Sequence, residues 1–164
     1  MGVNRGKEFE GTIRAAFEKV NDCSIDRLPD QMNGFAGGSN ICDFIVYKYP
    51  NIFYLECKSC YGNTLNFHAI TQHQKEGLRE KAFIPGVISG VIVWFIDWDK
   101  TYFVPIMTII EMEEEGVKSI NRKTIEMERG VIEIKGIKKR VFFNYNMDEF
   151  LREVQNDWRK DSRN

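Results

Sequence analysis

The sequence predicts an α/β protein with a single domain, in which a central mixed β-sheet is flanked by helices. Near the N-terminus, apolar residues recur every three to four positions, as they do on one face of an amphipathic helix. Residues 86–95, in contrast, form a continuous run rich in apolar and β-branched residues, which is typical of a buried strand. Helical and strand-like segments alternate along the chain, which is the order expected of a sheet covered by helices. No internal repeat divides the chain, so we expect one domain over residues 1–164.

The N-terminal third is predicted to contain a helix, a loop and two strands. The helix covers about residues 6–20, and Asn4 is a suitable cap because its side chain can accept a hydrogen bond from the first turn. Residues 24–39 contain a proline and three glycines and have no hydrophobic period, which indicates a loop long enough to be functional. Strands are expected at 41–47 and 52–58, on either side of a Tyr-Pro-Asn turn.

The remaining two thirds continue the alternation of helices and strands. The expected elements are a helix at about 66–82, a central strand at 86–95, a strand at 101–106, a short helix at 108–115 that ends at Gly116, a hairpin around Gly136 and an amphipathic helix at 148–158. The last residues, 159–164, are strongly charged, and we expect them to be frayed.

The composition is that of an ordinary globular protein. Of the 164 residues, 43% are hydrophobic and 29% are charged. No apolar run approaches the ~20 residues that a membrane-spanning helix needs, and because residues 1–10 are polar and charged we do not expect them to act as a signal peptide. Four cysteines in a chain with an adequate core are typical of reduced thiols. We therefore expect a cytoplasmic protein without a membrane partner.

The charge distribution permits contact with nucleic acid but does not require it. The net charge is −1, from 23 basic and 24 acidic residues, whereas DNA-binding domains usually have a basic surface. An acidic cluster consists of Glu111, Glu113, Glu114 and Glu115. A basic cluster, which is often no more than a solvated face, consists of Lys135, Lys138, Lys139 and Arg140.

A carboxylate and a lysine share one face of the second predicted strand. Because alternate residues of a strand point the same way, Phe53, Leu55 and Cys57 are expected to face the core. Glu56 and Lys58 then lie together on the opposite face. The Glu-x-Lys pattern is common, and a solvated surface hairpin is the alternative interpretation. The apolar flanking residues and an acid on the neighbouring strand favour a functional site.

That neighbouring acid is Asp43. If the two strands are joined by a two-residue turn, Lys48 pairs with Asn51. The antiparallel ladder in this register places Asp43 opposite Glu56. Like charges in opposed positions are unfavourable unless a cation neutralises them, and hard oxygen ligands suit Mg²⁺ or Mn²⁺. Such an ion would neutralise charge on a phosphodiester and activate water, and Lys58 would orient the water or stabilise the transition state.

These residues resemble the PD-(D/E)XK nuclease superfamily and, more narrowly, the RecU-type Holliday junction resolvases. The similar segments follow one another in the family order over most of the chain. They are Asn4-Arg5-Gly6 with Glu10, then Asp43, Glu56-Cys57-Lys58, Phe67-His68, His73-Gln74-Lys75-Glu76 and Lys118-Ser119-Ile120.

The resemblance implies a restriction-endonuclease-like fold and a metal-dependent endonuclease that resolves four-way DNA junctions as a homodimer. It implies that Asp43 and Glu56 bind Mg²⁺ or Mn²⁺ and that Lys58 is the catalytic lysine. Glu10 is expected to assist the metal site from the first helix, and Gln74 to contact the scissile region. The candidates for DNA binding are Arg5 and the basic cluster Lys135, Lys138, Lys139 and Arg140.

The sequence departs from the family in two places. Cys42 stands where the superfamily name has proline, a position without a chemical role. Residues 24–39 are shorter than the stalk that RecU-type proteins insert into the junction, so we interpret them as a reduced stalk or a substrate-probing loop. Another endonuclease of the same superfamily, of the restriction or repair type, is therefore the second hypothesis. A DNA-binding module without catalysis is the third.

Two other patterns have structural explanations. Cys57 and Cys60, followed by His68 and His73, are too closely spaced for a zinc finger, whose inner gap is ~12 residues. Three aromatic residues of strand-like segments are expected to be core residues rather than base-stacking platforms: Trp94, Trp98 and Phe103.

Overall fold

A computed structural model of the protein describes residues 4–30 and 39–161. Its helices are α1 (Arg5–Glu18), α2 (Gln72–Ala82), α3 (Ile106–Glu114) and α4 (Met147–Asp161). Its strands are β1 (Cys23–Arg27), β2 (Phe44–Lys48), β3 (Asn51–Cys60), β4 (Thr64–Asn66), β5 (Val87–Phe95), β6 (Lys100–Pro105), β7 (Ser119–Asn121), β8 (Ile132–Glu133), β9 (Gly136–Lys139) and β10 (Phe142–Tyr145). Single turns of 3-10 helix lie at Phe67–Ala69, Ile96–Trp98 and Ile125–Met127. None of the helices described here is both long and apolar enough to cross a membrane.

Six strands form a mixed central sheet in the order β1-β2-β3-β5-β6-β8. β3 and β5 are parallel, whereas every other neighbouring pair in this sheet is antiparallel. Two small ladders, β4 with β7 and β9 with β10, complete the described strands. The predicted α/β fold with a mixed sheet is therefore confirmed.

Helices cover both faces of the sheet. On one face, α1 and α4 contribute Phe17 and Phe150 to a core that includes Leu55 of β3. On the other face, α2 and α3 contribute Leu78 and Ile109 to a second core. Each fully buried apolar side chain of this size stabilises the fold by about 1.5–3 kcal/mol relative to an exposed one. Because both faces are covered, all nine residues of β5 are buried, as its uninterrupted apolar sequence predicts.

The segment predicted as one loop at 24–39 begins with a strand. Cys23–Arg27 is β1, which pairs with β2 along the edge of the sheet. Its side chains alternate between partly buried and exposed, and Ile25 is its one strongly apolar residue, so the hydrophobic pattern is weak. Residues 31–38, which the predicted reduced stalk includes, lie outside the described residues.

The helix predicted at 66–82 is interrupted before α2. The Thr71 side chain accepts the N–H of Gln74, and the Gln74 side chain accepts the N–H of Thr71. This reciprocal capping box fixes Thr71 in an extended conformation. A continuous helix is therefore excluded, and Phe67–Ala69 forms a separate single turn.

The later helices are longer than predicted. α3 begins at Ile106, two residues early, and ends before Gly116, whose φ of +86° suits the turn that stops a helix. α4 continues to Asp161, three residues into the predicted frayed tail at 159–164. Residues 162–164 lie outside the described chain.

Candidate active site

The β2–β3 hairpin brings Asp43 and Glu56 side by side. Lys48 pairs with Asn51, as the sequence predicts, and the ladder continues to the residue after Asp43. The Asp43 N–H then donates to the carbonyl of Leu55 at 3.1 Å. Asp43 and Glu56 are the next residue of each segment beyond the last pair of the ladder, Phe44 with Leu55.

Glu56 is more deeply buried than expected for a residue on the face of β3 that was predicted to point away from the core. Its exposed fraction is 3%, because the second core and α2 cover this face of the sheet as well. Oε1 accepts a hydrogen bond from Gln74 Nε2 at 2.8 Å and lies 2.8 Å from Lys58 Nζ. Oε2 is buried and has no hydrogen-bond partner among the described residues. A buried carboxylate oxygen without a partner is costly, so this atom is a candidate metal ligand.

Asp43 is half-buried and carries a strongly perturbed carboxyl group. Its Oδ2 accepts the N–H of Cys57 at 2.7 Å. Burial, followed by the negative charge of Glu56, raises the pKa of Asp43 from 3.8 to about 7. The hydrogen bond from Cys57 opposes this rise but does not cancel it. Two carboxylates that disfavour each other's charge form a site that a cation would stabilise.

Lys58 lies nearer to solvent than Glu56. Its side chain is 23% exposed, against 4% for that of Glu56. The ammonium group therefore touches the carboxylate on its inner side and can still approach a substrate from the outside.

Glu10 reaches the site from α1 and is held by Arg27. Arg27 Nη2 donates to Glu10 Oε2 at 3.1 Å and to Asp30 Oδ2 at 3.2 Å. Both hydrogen bonds raise the pKa of Arg27, and the bond to Glu10 has the larger effect. The charge of Glu10 also contributes to the raised pKa of Asp43, which places it near the acid pair. Sequence reasoning missed Arg27 because it ends β1, in the segment predicted as a loop, where no motif marks it.

A cleft of about 210 Å³ opens onto the acid pair. It lies between the β2–β3 hairpin, the start of α2 and the chain on either side of residues 31–38. Its lining residues are Leu28, Asp30, Ser39, Asn40, Cys42, Asp43, Glu56 and Gln74. Of the predicted site residues, Asp43, Glu56 and Gln74 line this cleft. Lys58 contacts Glu56, and Glu10 is linked through Arg27 to Asp30 in the lining.

The acid pair fits a hard divalent cation. Asp43 and Glu56 supply carboxylate oxygens, and Oε2 of Glu56 has no partner within the described part of the chain that would compete with a metal. No group of three or more His, Cys, Asp or Glu in the described ranges is arranged to hold a metal ion by itself. This suits Mg²⁺, which is usually bound by one or two carboxylates and completes its octahedron with water and substrate phosphate.

The cysteine and histidine pattern does not form a zinc site. Cys57 belongs to the first core and Cys60 packs against the second, so the two thiols lie on opposite faces of the sheet. His73 Nε2 instead contacts the carbonyl oxygen of Ser39. All four cysteines of the chain are free thiols.

The DNA-binding candidates lie apart from the acid pair, at the hairpin of β9 and β10 and at the start of α1. Lys135 is paired with Glu149 at 3.5 Å, and Lys138 is paired with Asp99. Arg5 lies 3.5 Å from Glu8 and stacks over the ring of Phe142, with 5.8 Å between its guanidinium carbon and the ring centre. The other two candidates, Lys139 and Arg140, are exposed at the hairpin turn. Neither forms an ion pair with any residue that the structure describes.

Two of the three aromatic predictions are correct. Trp94 and Phe103 are each 1% exposed and belong to the first core. Trp98 is 39% exposed, so its prediction as a core residue is wrong. It lies in the single helical turn Ile96–Trp98 after β5 has ended, where the chain leaves the sheet.

The fold is similar to that of a solved Holliday junction resolvase. In a comparison with solved structures, 17 chains match. One of them, the Holliday junction resolvase Hjc of Archaeoglobus fulgidus, an archaeal hyperthermophile, superposes with a TM-score of 0.54. It is 17% identical in sequence, and the match covers 75% of this chain and 93% of that one. At this identity the likeness establishes a shared fold.

The sequence places the chain in a particular family. The family model RecU, recombination protein U, matches residues 20–147, which is well over half of the chain. The chain therefore belongs to the RecU family of Holliday junction resolvases, and the resemblance that its motifs indicate is confirmed. No curated protein matches the sequence at a significant level.

Proposed function

We propose that this protein resolves four-way DNA junctions as a homodimer, by metal-dependent paired cleavage of two phosphodiester bonds. The observation that carries the proposal is the buried Oε2 of Glu56, which has no hydrogen-bond partner in residues 4–30 and 39–161, beside the carboxyl of Asp43 with its raised pKa. Family membership supports the reaction class, and the acid pair offers a place for the metal.

In the proposed mechanism the chain's own residues bind and orient the reacting groups. Asp43 and Glu56 would hold Mg²⁺ or Mn²⁺, which neutralises charge on the scissile phosphate and activates water for in-line attack. Lys58 stabilises the charge that builds on the phosphate as the bond breaks. Gln74 occupies Oε1 of Glu56 and thereby leaves Oε2 for the metal. Glu10, held by Arg27, adds negative charge on the α1 side.

The proposed assembly follows from the substrate. A four-way junction has approximate two-fold symmetry, and two symmetric cuts require two active sites related in the same way. The basic cluster and Arg5 are proposed to contact DNA phosphates outside the cleft. A cytoplasmic location is proposed because a DNA-cleaving enzyme with four free thiols suits a reducing compartment.

The test is cleavage of a labelled synthetic four-way junction beside a linear duplex of matched sequence, with and without Mg²⁺. We expect paired nicks in the junction that need the metal and that disappear in Glu56→Gln. Glu76→Gln, which alters an exposed acid of α2 bonded to Gln72, is the control that should cut normally.

Two results would contradict the proposal. Equal cutting of the duplex would favour another endonuclease of the same superfamily, of the restriction or repair type. Tight binding of the junction without any cutting would favour a DNA-binding module without catalysis.

A further inference from the structure

The edge at which β3 and β5 end carries a surface that the proposed mechanism does not use. The two strands are parallel and Cys60 pairs with Phe95, so both strands leave the sheet at the same place. β3 continues into Tyr61, and β5 continues into the turn Ile96–Trp98. Ligands commonly bind beyond the carboxyl ends of neighbouring parallel strands, where loops of different origin meet.

Hydrogen bonds donated by backbone N–H groups hold these two turns and the segment after β7 together. Gly62 donates its N–H to Oδ2 of Asp97 at 2.6 Å. Arg122 donates its backbone N–H to the carbonyl of Asn63 at 2.7 Å. The residues next to these contacts are Tyr61, Trp98 and Arg122, and we call them the edge platform.

The edge platform combines exposed aromatic rings with a stacked guanidinium group. Tyr61 is 65% exposed and Trp98 is 39% exposed. The guanidinium carbon of Arg122 lies 4.5 Å from the centre of the Trp98 ring. A guanidinium group over an indole is a favourable cation–π arrangement, and it fixes both planes.

Arg122 forms none of the ion pairs of the described residues, and its buried Nε has no hydrogen-bond partner among them. The nearby acid Glu126 is engaged by the Tyr102 hydroxyl, which donates to its Oε1 at 2.7 Å. A guanidinium group that stacks on an exposed ring and is not paired with a carboxylate can bind a phosphate on its open side.

Two of the segments that carry the platform approach it from the face of the sheet that holds the acid pair. Glu56, Lys58 and Cys60 alternate along β3 on this face. Arg122 follows Ile120, which belongs to the second core on that side. Tyr61 lies five residue steps along the chain from Glu56, an extended length of about 16 Å. This is the rise of about five stacked nucleotides, so one DNA strand can reach both sites.

Positive charge surrounds the same edge. Lys123 follows Arg122 and is exposed. Lys138, from the basic cluster, reaches Asp99, the residue after Trp98. The acids beside this path, Asp97 and Asp99, are already bonded to Gly62 and Lys138. A polyanion that contacts the basic cluster can therefore extend onto the platform.

We propose that the edge platform binds an unstacked DNA base and its phosphate, from a strand that leaves the branch point of the junction. Trp98 and Tyr61 stack on the base, and Arg122 binds the phosphate. Stacking tolerates any base, because every base has a π face. This inference rests on the proposed function, in that it takes branched DNA as the substrate.

The experiment uses the full chain with Asp43→Asn, so that the junction is bound but not cut. The probe is a four-way junction with 2-aminopurine beside the branch point, whose fluorescence falls when the base stacks on an aromatic ring. Trp98→Ala is expected to weaken binding about tenfold and to restore the fluorescence. Arg122→Lys, which keeps the charge but loses the planar stack, is expected to weaken binding severalfold.

Tyr49→Ala is the matched control, because Tyr49 is a 79% exposed aromatic residue at the opposite end of β3. Tyr61→Ala provides a second variant that cannot disturb the core. If Trp98→Ala and Tyr61→Ala both bind like Tyr49→Ala with unchanged fluorescence, the platform proposal is overturned, while junction cutting by the unmodified protein would keep the proposed function. If the unmodified protein neither binds nor cuts the junction, both proposals fail.

Discussion

At the scale of single residues, Asp43 is an acid whose charge is unfavourable in the metal-free fold. Burial and the charge of Glu56 raise its pKa from 3.8 to about 7. The folded protein therefore holds a proton there between about pH 4 and about pH 7, whereas the unfolded chain does not. The stabilisation from this proton is complete below about pH 4 and is lost as the pH rises through about 7.

Asp43→Asn should therefore stabilise the metal-free protein at high pH. The amide oxygen can still accept the Cys57 N–H, but it carries no charge to bury. Thermal unfolding in a chelator at about pH 8 should show a higher melting temperature than the unmodified protein, by about 2–4 °C for each kcal/mol relieved. The difference should shrink towards zero near pH 4. Glu80→Gln, an exposed change on α2, should show no such pH dependence, and an equal shift at both pH values would contradict the assignment of the raised pKa.

Gln74 is expected to set the metal affinity of the site without touching the metal. Its Oε1 is fixed by the Thr71 N–H, so its Nε2 must face Glu56. Gln74→Ala should release the Glu56 side chain and raise the Mg²⁺ concentration needed for half-maximal cutting about 10–100-fold. Gln72→Ala removes an exposed bond to Glu76 on the same helix and should leave the metal titration unchanged. A loss of cutting that excess Mg²⁺ does not restore would argue for a direct catalytic role instead.

At the scale of the elements, the position of α2 depends on a glycine. A Cβ added to Gly77 would lie 2.2 Å from Cγ2 of Ile41. Ile41 belongs to the segment that leads to Asp43, so the bare backbone of Gly77 lets α2 pack directly against it. Gln74, one helical turn earlier, reaches Glu56 only because of this close approach.

Gly77→Ala should consequently reduce both stability and cutting. Alanine is the better helix former, but overpacking against Ile41 is expected to cost about 1–3 kcal/mol of unfolding free energy. Adding Ile41→Ala removes the clash and should recover part of the cleavage rate. Gly11→Ala on α1 meets no atom within 4 Å and is expected to be neutral or stabilising by up to about 1 kcal/mol. If denaturant unfolding gave the same change in unfolding free energy for Gly77→Ala and Gly11→Ala, this explanation would be wrong.

The elements also show which features local sequence encodes. The register of β2 and β3 was predictable because a two-residue turn and alternating burial fix it together, and its last pair lies directly beside Asp43 and Glu56. The strand β1 was not predictable, because its hydrophobic pattern is weak and its stability comes from pairing with β2. The break at Thr71 required recognition of a capping box inside a helical period.

In the candidate site, too, some features follow from local sequence and others do not. Asp43, Glu56 and Lys58 follow from strand alternation and motif spacing, which are local properties. The burial of Glu56 depends on α2 covering its face, and the role of Arg27 depends on α1 bringing Glu10 to the end of β1. Contacts of this kind join distant segments, so no local pattern contains them.

At the scale of the whole molecule, the basic cluster should determine how binding depends on salt. Lys139 and Arg140 are exposed at the turn of the β9–β10 hairpin. Replacing both by Ala should reduce the slope of log affinity against log salt by about 1 for each DNA phosphate that the variant no longer neutralises. The control is Arg152→Ala with Lys160→Ala, which removes the same charge from α4. Equal slopes for the two double variants, measured by anisotropy on the junction, would exclude the hairpin from the interface.

The proposed homodimer makes a stricter prediction about the number of cuts. A dimer that contains one unmodified protomer and one Glu56→Gln protomer has a single working site, so it should nick a junction once and release it. On a supercoiled plasmid that extrudes a cruciform, the unmodified dimer should give linear product, because its two cuts fall within one binding event. Mixed dimers, purified through a tag on one protomer, should give nicked circles. Linear product from purified mixed dimers at the unmodified rate would mean that one site makes both cuts, and the two-fold pairing of active sites would be wrong.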